Sequence, residues 1–343
     1  MNLDHYNAVR TTAGYLQLED RSWIGFVGSE RADFLQGLLT NDVLALSCGT
    51  GCYATYLTPQ GRMIADMIVL ADQDRLLVDV HSSVKASLHE RFDGLVFAED
   101  VTVQNLGEKF TAFGIHGPHA SEIATSLFLP TKKQFAVLEH CRVDIEGAVG
   151  LLVRTDDLGI EGYRLIVDRK VTSIVVEALK TSEAVPLGLE VAETVRVESG
   201  RPLFPVDMDT ETIPLEAGIQ DRAIDFDKGC YVGQEVIIRI LHRGQGRVAR
   251  RLVGLVCEKT DAHNSALPVL GMSICRVDRD DAVGVVTSAV WSPECSAVDA
   301  LGYLPRELAD EAGAVVDVKV EHSRVRSVVT KLPFVSLFGS DDS

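Results

Sequence analysis

The feature of the sequence that most constrains its fold is a change in texture near residue 247. Beyond Gly244 and Gly246, short apolar segments rich in valine follow one another, and Gly, Pro, Asp and Ser separate them. Short strands at this spacing predict a small all-β unit, most simply a barrel, over residues 247–343. The segments are residues 252–257, 282–290, 315–320 and 325–332.

Before this boundary, helical and strand-like patterns intermingle without the regular alternation of a doubly wound fold. Ser29 can cap a helix whose following leucines and phenylalanine share one face. Strand-like stretches at residues 53–57 and 63–71 are joined by a turn that contains Pro and Gly. The sequence therefore predicts an α+β domain over residues 1–246. Further helices are predicted at residues 83–92, 171–180 and 191–199.

Charge and cysteine content indicate which binding partners and which cellular compartment to expect. Fifty acidic residues against 33 basic ones give a net charge of −17, which repels nucleic acid and anionic membranes. The N-terminus lacks the apolar region of a secretory signal, and no apolar run approaches the roughly 20 residues that span a bilayer. Seven cysteines in a chain of 343 residues favour reduced thiols. We expect a cytoplasmic monomer without membrane or direct nucleic-acid partners.

Cys230 is the main candidate for a reactive group. Gly229 and Gly233 flank it, so the backbone can turn tightly and leave the sulfur accessible. A helix that begins at residues 233–235 would place its positive end near the thiol, and Lys228 would add a full charge; both favour the thiolate. The alternative is that Cys230 is a small buried apolar residue, as free cysteines often are.

Other groups of arginine, cysteine, histidine and acidic residues each allow a functional and a structural interpretation. Five arginines between residues 239 and 251 could hold an anionic tail or a phosphate, or could pair with surface acids at a hinge. Cys48 and Cys52 have no second ligand pair, so a turn with two incidental cysteines is the preferred interpretation. His116 and His119 are interpreted as helix-entry residues, and the acids around Asp225 as part of a solvated loop. The arginines are Arg239, Arg243, Arg247, Arg250 and Arg251.

The segment KGCYVGQE at residues 228–235 resembles the signature of the YgfZ-type folate-binding proteins, relatives of the glycine-cleavage T-protein. Ordered matches continue over some 300 residues. The further matching segments are FLQGLLTNDV at residues 34–43, RVESG at 196–200, IPLEAG at 213–218, GVVTSAVWSP at 284–293 and LPF at 332–334. The resemblance implies a T-protein-like fold, with ferredoxin-like subdomains around a central cavity and a C-terminal β-barrel.

The same resemblance implies that the protein binds tetrahydrofolate or a derivative and holds no stable metal cluster. Cys230, Lys228 and Asp66 are then the expected catalytic residues. The expected folate-binding residues are Asn41, Tyr53, Asp66, Arg196, Glu198, Glu216, Gln234 and Arg239.

Two departures from T-proteins bear on the activity. T-proteins carry paired aspartates where this chain has Ala65 and Asp66, and a glutamate that recognises the pterin where it has Ile160. A carboxylate is the natural acceptor for an amino-pyrimidinone edge, and isoleucine cannot replace it. We therefore expect an accessory protein for iron–sulfur cluster assembly or repair that acts through Cys230 on client proteins such as radical tRNA-modifying enzymes. The alternative is a tetrahydrofolate-dependent aminomethyl- or methyltransferase.

Overall fold

A computed structural model describes residues 1–130, 134–258, 270–311, 313–320 and 323–335. The chain divides into two compact units, and each unit is built from two separate stretches of sequence. The first unit comprises Met1–Val191 and Asp221–Gln234, and the second comprises Ala192–Gln220 and Glu235–Ser343. The boundary expected at residue 247 falls inside the second unit.

The first unit is a mixture of short helices and two β-sheets. Its elements in chain order are α1 (Leu3–Thr11), β1 (Gly14–Gln17), β2 (Arg21–Val27), α2 (Arg31–Gln36), β3 (Gly51–Leu57), β4 (Met63–Ala71), β5 (Leu76–His81), α3 (Ser82–Asp93), β6 (Thr102–Asn105), β7 (Phe110–His116), α4 (Ala120–Phe128), β8 (His140–Ile145), β9 (Ala148–Thr155), β10 (Gly162–Asp168), α5 (Thr172–Lys180) and β11 (Val185–Pro186). One sheet has the order β3-β4-β5-β2-β6 and the other the order β11-β1-β7-β10-β9-β8.

A hydrophobic core joins the two sheets of this unit. It contains Trp23, Ile68 and Leu77 from the five-stranded sheet and Ala112, Leu151 and Ile166 from the six-stranded sheet. Each fully buried side chain of this size contributes about 1.5–3 kcal/mol to folding. Because alternate residues of a strand share a face, Asp66 lies on the same face of β4 as Ile68. The fold thus places a carboxylate at the margin of an apolar layer between sheets.

The second unit is built around a closed barrel with the strand order β12-β15-β14-β13-β16-β17. Its elements are α6 (Leu189–Glu198, whose first turn belongs to the first unit), α7 (Pro214–Ala217), β12 (Arg250–Cys257), β13 (Ser273–Arg276), β14 (Ala282–Ser292), β15 (Ala297–Pro305), α10 (Arg306–Ala309), β16 (Val315–Val320) and β17 (Ser323–Thr330). Two further helices lie before the barrel, α8 (Gln220–Ala223) and α9 (Gln234–His242). Val286, Val316 and Val318 are among the fully buried residues of its interior.

The predicted fold class, α+β with a C-terminal β-barrel, is confirmed. The strands predicted at residues 53–57 and 63–71 correspond to β3 and β4. Two acidic residues near the end of the sequence, Asp341 and Asp342, lie outside the described residues. None of the described helices is long and apolar enough to span a membrane.

Candidate functional site

Asp66 and Tyr53 form a half-buried, hydrogen-bonded pair in the first unit. The two residues lie on the adjacent strands β4 and β3, and the Tyr53 hydroxyl donates a hydrogen bond of 2.8 Å to Asp66 Oδ2. The second carboxyl oxygen, Oδ1, is buried and has no hydrogen-bond partner among the described residues. Arg222 covers the Tyr53 ring, with its guanidinium carbon 5.1 Å from the ring centroid. One oxygen of the carboxyl group is therefore fixed, and the other is available.

Burial dominates the electrostatics of this pair. It raises the pKa of Asp66, although the Arg21 guanidinium, the Tyr53 hydrogen bond and His81 act in the opposite direction. Burial also raises the pKa of Tyr53, and the neighbouring Asp66 carboxylate raises it further. Tyr53 thus remains a hydroxyl donor at neutral pH. A carboxyl group in this setting can accept an N–H from a ligand or exchange a proton with it.

A chain of ion pairs links the two sheets. Arg21 on β2 donates from Nε to Asp79 Oδ1 at 2.8 Å and from a terminal nitrogen to the Asp79 carbonyl at 3.1 Å. The other Asp79 oxygen accepts a hydrogen bond from Arg164 on β10. Arg164 also donates to Asp157 Oδ2 at 2.7 Å. Four charged side chains of alternating sign are therefore connected.

These ion pairs are buried in the protein rather than displayed to solvent. Asp79 is completely buried, and Arg164 is 5 % exposed. Burial opposes the charge on Arg164, but Asp157 and Asp79 outweigh it, so the pKa of the guanidinium is raised. Removing one partner from such a network typically costs about 3–5 kcal/mol, because the other charge is left buried and unpaired.

The predicted residues Asn41 and Lys228 hold the backbone around Tyr53. The Asn41 amide donates to the carbonyls of Tyr53 at 2.8 Å and Arg222 at 3.1 Å. Lys228 Nζ donates to the carbonyls of Gln36, Leu39 and Asn41 at 2.8, 2.6 and 2.9 Å. Burial lowers the Lys228 pKa to about 8. Both side chains act as anchors, and their roles in catalysis and folate binding stay predictions.

Cys230 is exposed, in the loop that these anchors secure. Asp225 shapes the approach to it, since its carboxylate accepts the backbone N–H groups of Asp227 and Lys228. Beyond the thiol, Gly233 has φ +87°, and a Cβ there would lie 2.6 Å from the Thr58 carbonyl oxygen. The loop is thus pinned at both ends while the cysteine faces solvent. The alternative of a buried apolar Cys230 is wrong.

The other sequence candidates of the first unit are less suited to chemistry. Burial raises the pKa of the Cys52 thiol to about 12, against the opposing effect of Lys228. Cys48 is exposed, and no group of three or more His, Cys, Asp or Glu in the described ranges could hold a metal ion. His119 precedes α4 as predicted, but His116 is the last residue of β7 and not a helix-entry residue. Burial lowers the pKa of His116 to about 4.

Three of the predicted folate-binding residues are held within the second unit by other protein groups. Arg196 pairs with Asp207 at 2.6 Å and with Glu193. Glu198 accepts a hydrogen bond of 2.6 Å from the Ser292 hydroxyl. Glu216 pairs with Arg250 at 3.0 Å. A role for these residues in folate binding stays a prediction, as does that of Gln234, the first residue of α9.

The arginine-rich segment divides into two groups. Arg250 pairs with the buried Glu216, and Arg251 lies 3.5 Å from Asp310, and all four residues belong to the second unit. Arg239, on α9, is exposed, as are Arg243 and Arg247.

Sequence reasoning missed Arg21, Asp79 and Arg164. Each is a charged residue in or at the end of a strand that is mostly apolar. An isolated charge among residues that pack on both faces of a sheet indicates a buried partner, because an unpaired buried charge is costly. Such an isolated charge predicts that a buried partner exists, but it does not indicate which strands become neighbours and therefore which residue the partner is.

The comparisons with known proteins agree on one family. The model of the GCVT N-terminal domain matches residues 2–228, and that of the glycine cleavage T-protein C-terminal barrel domain matches residues 250–336. An aminomethyltransferase from Rippkaea orientalis is 26 % identical over 337 residues, which cover 96 % of this chain and 88 % of the relative. One from Acidobacterium capsulatum is 29 % identical over 339 residues, covering 95 % and 86 % respectively.

A solved structure supports the same fold. The crystal structure of glycine cleavage system aminomethyltransferase T from Bartonella henselae superimposes with a TM-score of 0.85 at 20 % identity, covering 97 % of this chain and 89 % of that one. The YgfZ-type assignment and the iron–sulfur role find no support in these comparisons and stay predictions. With both domain models matched in order, the chain belongs to the glycine-cleavage T-protein family, whose cofactor is tetrahydrofolate.

Proposed function

We propose that this protein binds tetrahydrofolate through Asp66 and Tyr53 and carries out a folate-dependent one-carbon transfer of the T-protein type. The observation that carries the proposal is the buried Asp66 Oδ1, which has no hydrogen-bond partner among the described residues. Such an oxygen fits the N–H groups of a reduced pterin, because a carboxylate accepts paired donors well. The full-length similarity to proteins named aminomethyltransferase supports the same reaction class.

Tyr53 and Asp66 have different roles in this proposal. Bound tetrahydrofolate supplies nitrogen atoms that carry the one-carbon unit. Tyr53 fixes one oxygen of Asp66 at 2.8 Å and leaves the other free to hold a ligand N–H or to take up a proton. The pKa of Asp66, raised by burial, brings the carboxyl nearer to the pH at which it can both accept and return that proton.

Calorimetry with tetrahydrofolate tests this proposal. Asp66→Asn removes the negative charge and replaces one acceptor oxygen with an N–H donor, and it is expected to weaken binding by about 10- to 100-fold, the value of a charge-assisted hydrogen bond. Tyr53→Phe keeps the Asp66 carboxylate but removes the hydrogen bond that fixes it, so a smaller loss of affinity is expected. Asp281→Asn, at an exposed position on the barrel unit, is the matched control and should bind as the wild type does. Equal affinity in Asp66→Asn and the wild type would refute the proposed site.

A second candidate is the accessory role in iron–sulfur cluster assembly or repair. It is favoured by the exposure of Cys230 in a pinned loop, since a reactive thiol must be accessible. It is also favoured by Ile160, which is buried at 3 % exposure where T-proteins carry their pterin-recognising glutamate. In this candidate the protein binds folate, and the thiol does the work on client proteins.

One pair of variants separates the two candidates. One-carbon transfer to tetrahydrofolate should survive Cys230→Ala and fail in Asp66→Asn. The accessory role predicts the reverse dependence on the thiol in a strain that lacks its own homologue, where Cys230→Ala should not restore iron–sulfur enzyme activity. Equal rescue by the wild type and Cys230→Ala would exclude the thiol-centred candidate.

A further inference from the structure

A polar cavity of about 200 Å³ lies beside strands β1 and β2 of the first unit. Pockets for drug-sized molecules are usually larger, about 300–1,000 Å³, so this cavity fits a small molecule or the end group of a larger one. We propose that it binds a small oxyanion, a carboxylate or a phosphate. The cavity is not lined by the residues assigned to folate, and the inference goes beyond the proposed function. The side chains that line it include Gln17, Glu19, Arg21, Trp23, Thr111 and Arg169.

Trp23 provides a buried donor that lacks an acceptor. The side chain is fully buried, and its ring packs edge to face on Phe110 with the centroids 6.0 Å apart. The indole Nε1–H has no hydrogen-bond partner among the described residues. A buried N–H without an acceptor is costly. Because Trp23 also lines the cavity, an oxygen of a bound ligand can accept this hydrogen.

Arg21 provides a second donor, which its partner holds in place. Its Nε bonds to the Asp79 carboxylate and one terminal nitrogen bonds to the Asp79 carbonyl. The other terminal nitrogen makes no hydrogen bond to a described residue. The charges of Arg21 and Arg164 are balanced by those of Asp79 and Asp157 in the ion-pair chain. Arg21 therefore offers the cavity a fixed N–H donor rather than a net charge.

Arg169 provides the positive charge. It directly follows β10, is exposed, and makes one long hydrogen bond of 3.5 Å to the Gly107 carbonyl. The neighbouring Asp168 pairs with Lys170 instead, at 3.7 Å. Within the part of the chain that the structure describes, no acid pairs with Arg169. A guanidinium without an acid partner at a cavity favours an anionic ligand, because arginine binds carboxylate and phosphate with two hydrogen bonds.

Thr111 and Glu19 complete the lining and set its limits. The buried Thr111 hydroxyl accepts a hydrogen bond of 3.1 Å from the Gln17 amide, so its own hydrogen is left to donate. Glu19 is the one acid that lines the cavity among the described residues, and it is exposed. An exposed carboxylate weakens the attraction of an anion only moderately. The donors thus outnumber the acid, and together they match the oxygens of a small anion.

The test is a titration of the full-length protein with inorganic phosphate, followed by ¹H–¹⁵N NMR of the indole N–H groups. The chain has two tryptophans, and Trp291 is 44 % exposed on the barrel unit. Trp291→Phe assigns the two signals. We expect the Trp23 signal to move saturably to higher frequency as its N–H bonds to the anion. The Trp291 signal should stay in place.

Three variants test the contribution of individual charges. Arg169→Gln should weaken phosphate binding about tenfold, the lower end of the value of a charge-assisted hydrogen bond, since Arg169 is exposed. Lys170→Gln is the matched control, because it removes the same charge from the next residue, which does not line the cavity. Glu19→Gln should strengthen binding about two- to fivefold. Arg21 is left intact, since its loss would break the buried ion pairs.

A parallel titration with succinate identifies the source of the oxyanion. Tighter binding of succinate assigns the cavity to the end group of an organic acid, and tighter binding of phosphate assigns it to a phosphate; either result supports an oxyanion site. A Trp23 signal that does not move at millimolar concentrations of either anion would overturn the proposal and leave a water-filled cavity. Equal affinity in Arg169→Gln and the wild type would overturn it too. No folate is needed, so these outcomes are independent of the site proposed at Asp66.

Discussion

At the scale of single residues, the barrel contains a carboxyl group at a cost to stability. Asp299, on β15, is completely buried, and within the part of the chain that the structure describes neither of its carboxyl oxygens accepts a hydrogen bond of ordinary geometry. Burial, with a smaller contribution from the neighbouring Glu198, raises its pKa to about 6, while the nearby Cys295 and Ser292 act in the opposite direction. An acid whose pKa is higher in the folded than in the unfolded protein contributes stability below its unfolded pKa and loses that contribution as the pH rises through the folded value.

Asp299→Asn is therefore expected to stabilise the protein at neutral pH. Between pH 4 and pH 7 the wild type loses stability relative to the variant, by about 2–3 kcal/mol for a pKa near 6. Urea unfolding of both proteins at pH 4.5 and pH 7.5 measures the difference. Asp281→Asn controls for the loss of a charge from an exposed position. A variant no more stable than the wild type at pH 7.5 would show that Asp299 has a compensating partner.

Residue identities also show how far the site could be predicted from the sequence. Asp66 and Cys230 were found because they lie in segments that resemble a known family. Arg21 was not found, since its importance comes from Asp79 and Arg164, which are 58 and 143 positions away along the chain. Arg196 and Glu198 were expected to bind folate, and their bonds to neighbouring side chains could not be deduced from the pattern.

At the scale of elements, the loop that carries Cys230 depends on close contact with the β3–β4 turn. Gly233 adopts a left-handed φ of +87°, and its α-carbon faces the Thr58 carbonyl and Gly61. A side chain at this position would meet backbone atoms, which cannot move aside as a flexible side chain does. The turn and the loop are thus matched in shape.

Gly233→Ala should consequently loosen the loop and destabilise the first unit by about 1–3 kcal/mol. The expected signature is a lower urea midpoint together with faster labelling of Cys230 by a thiol reagent. Gly188→Ala is the matched control, since a Cβ at residue 188 meets nothing within 4 Å and φ is not left-handed. Unchanged stability and labelling in Gly233→Ala would mean that the loop is not held by this contact.

The elements differ in how clearly the sequence predicts them. The sequence predicts β4 clearly because eight of its nine residues are apolar and a turn precedes it. β2 and β15 were missed. Gly25 interrupts β2, while Asp299 and Gly302 interrupt β15, and both residue types are disfavoured in strands. Pairing with neighbouring strands on both sides overrides those local preferences.

At the scale of the whole molecule, the chain passes between the two compact units three times, after residues 191, 220 and 234. A cut at residue 247, where the texture of the sequence changes, therefore does not separate the units. A fragment of residues 1–246 would keep α6 but lose Ser288 and Ser292, which bond to Arg196 and Glu198. The isolated barrel fragment would lose the same contacts.

We expect residues 1–246 and 247–343 to be unstable when expressed apart and to associate when expressed together. Circular dichroism and size-exclusion chromatography of each fragment and of the mixture measure this. The missing contacts involve buried charged groups, so their loss should cost several kcal/mol. A fragment 1–246 that unfolds cooperatively with the stability of the intact protein would contradict the expectation.

The interleaving of the units also sets an order of events during synthesis. Lys228 bonds to carbonyls that precede it by 187 to 192 residues, so this anchor cannot form until most of the chain has left the ribosome. The barrel strands are made later still and do not take part in it. The Cys230 loop is thus the last piece of the first unit to be delivered. The synthesis of this loop therefore marks the point at which the first unit can be completed.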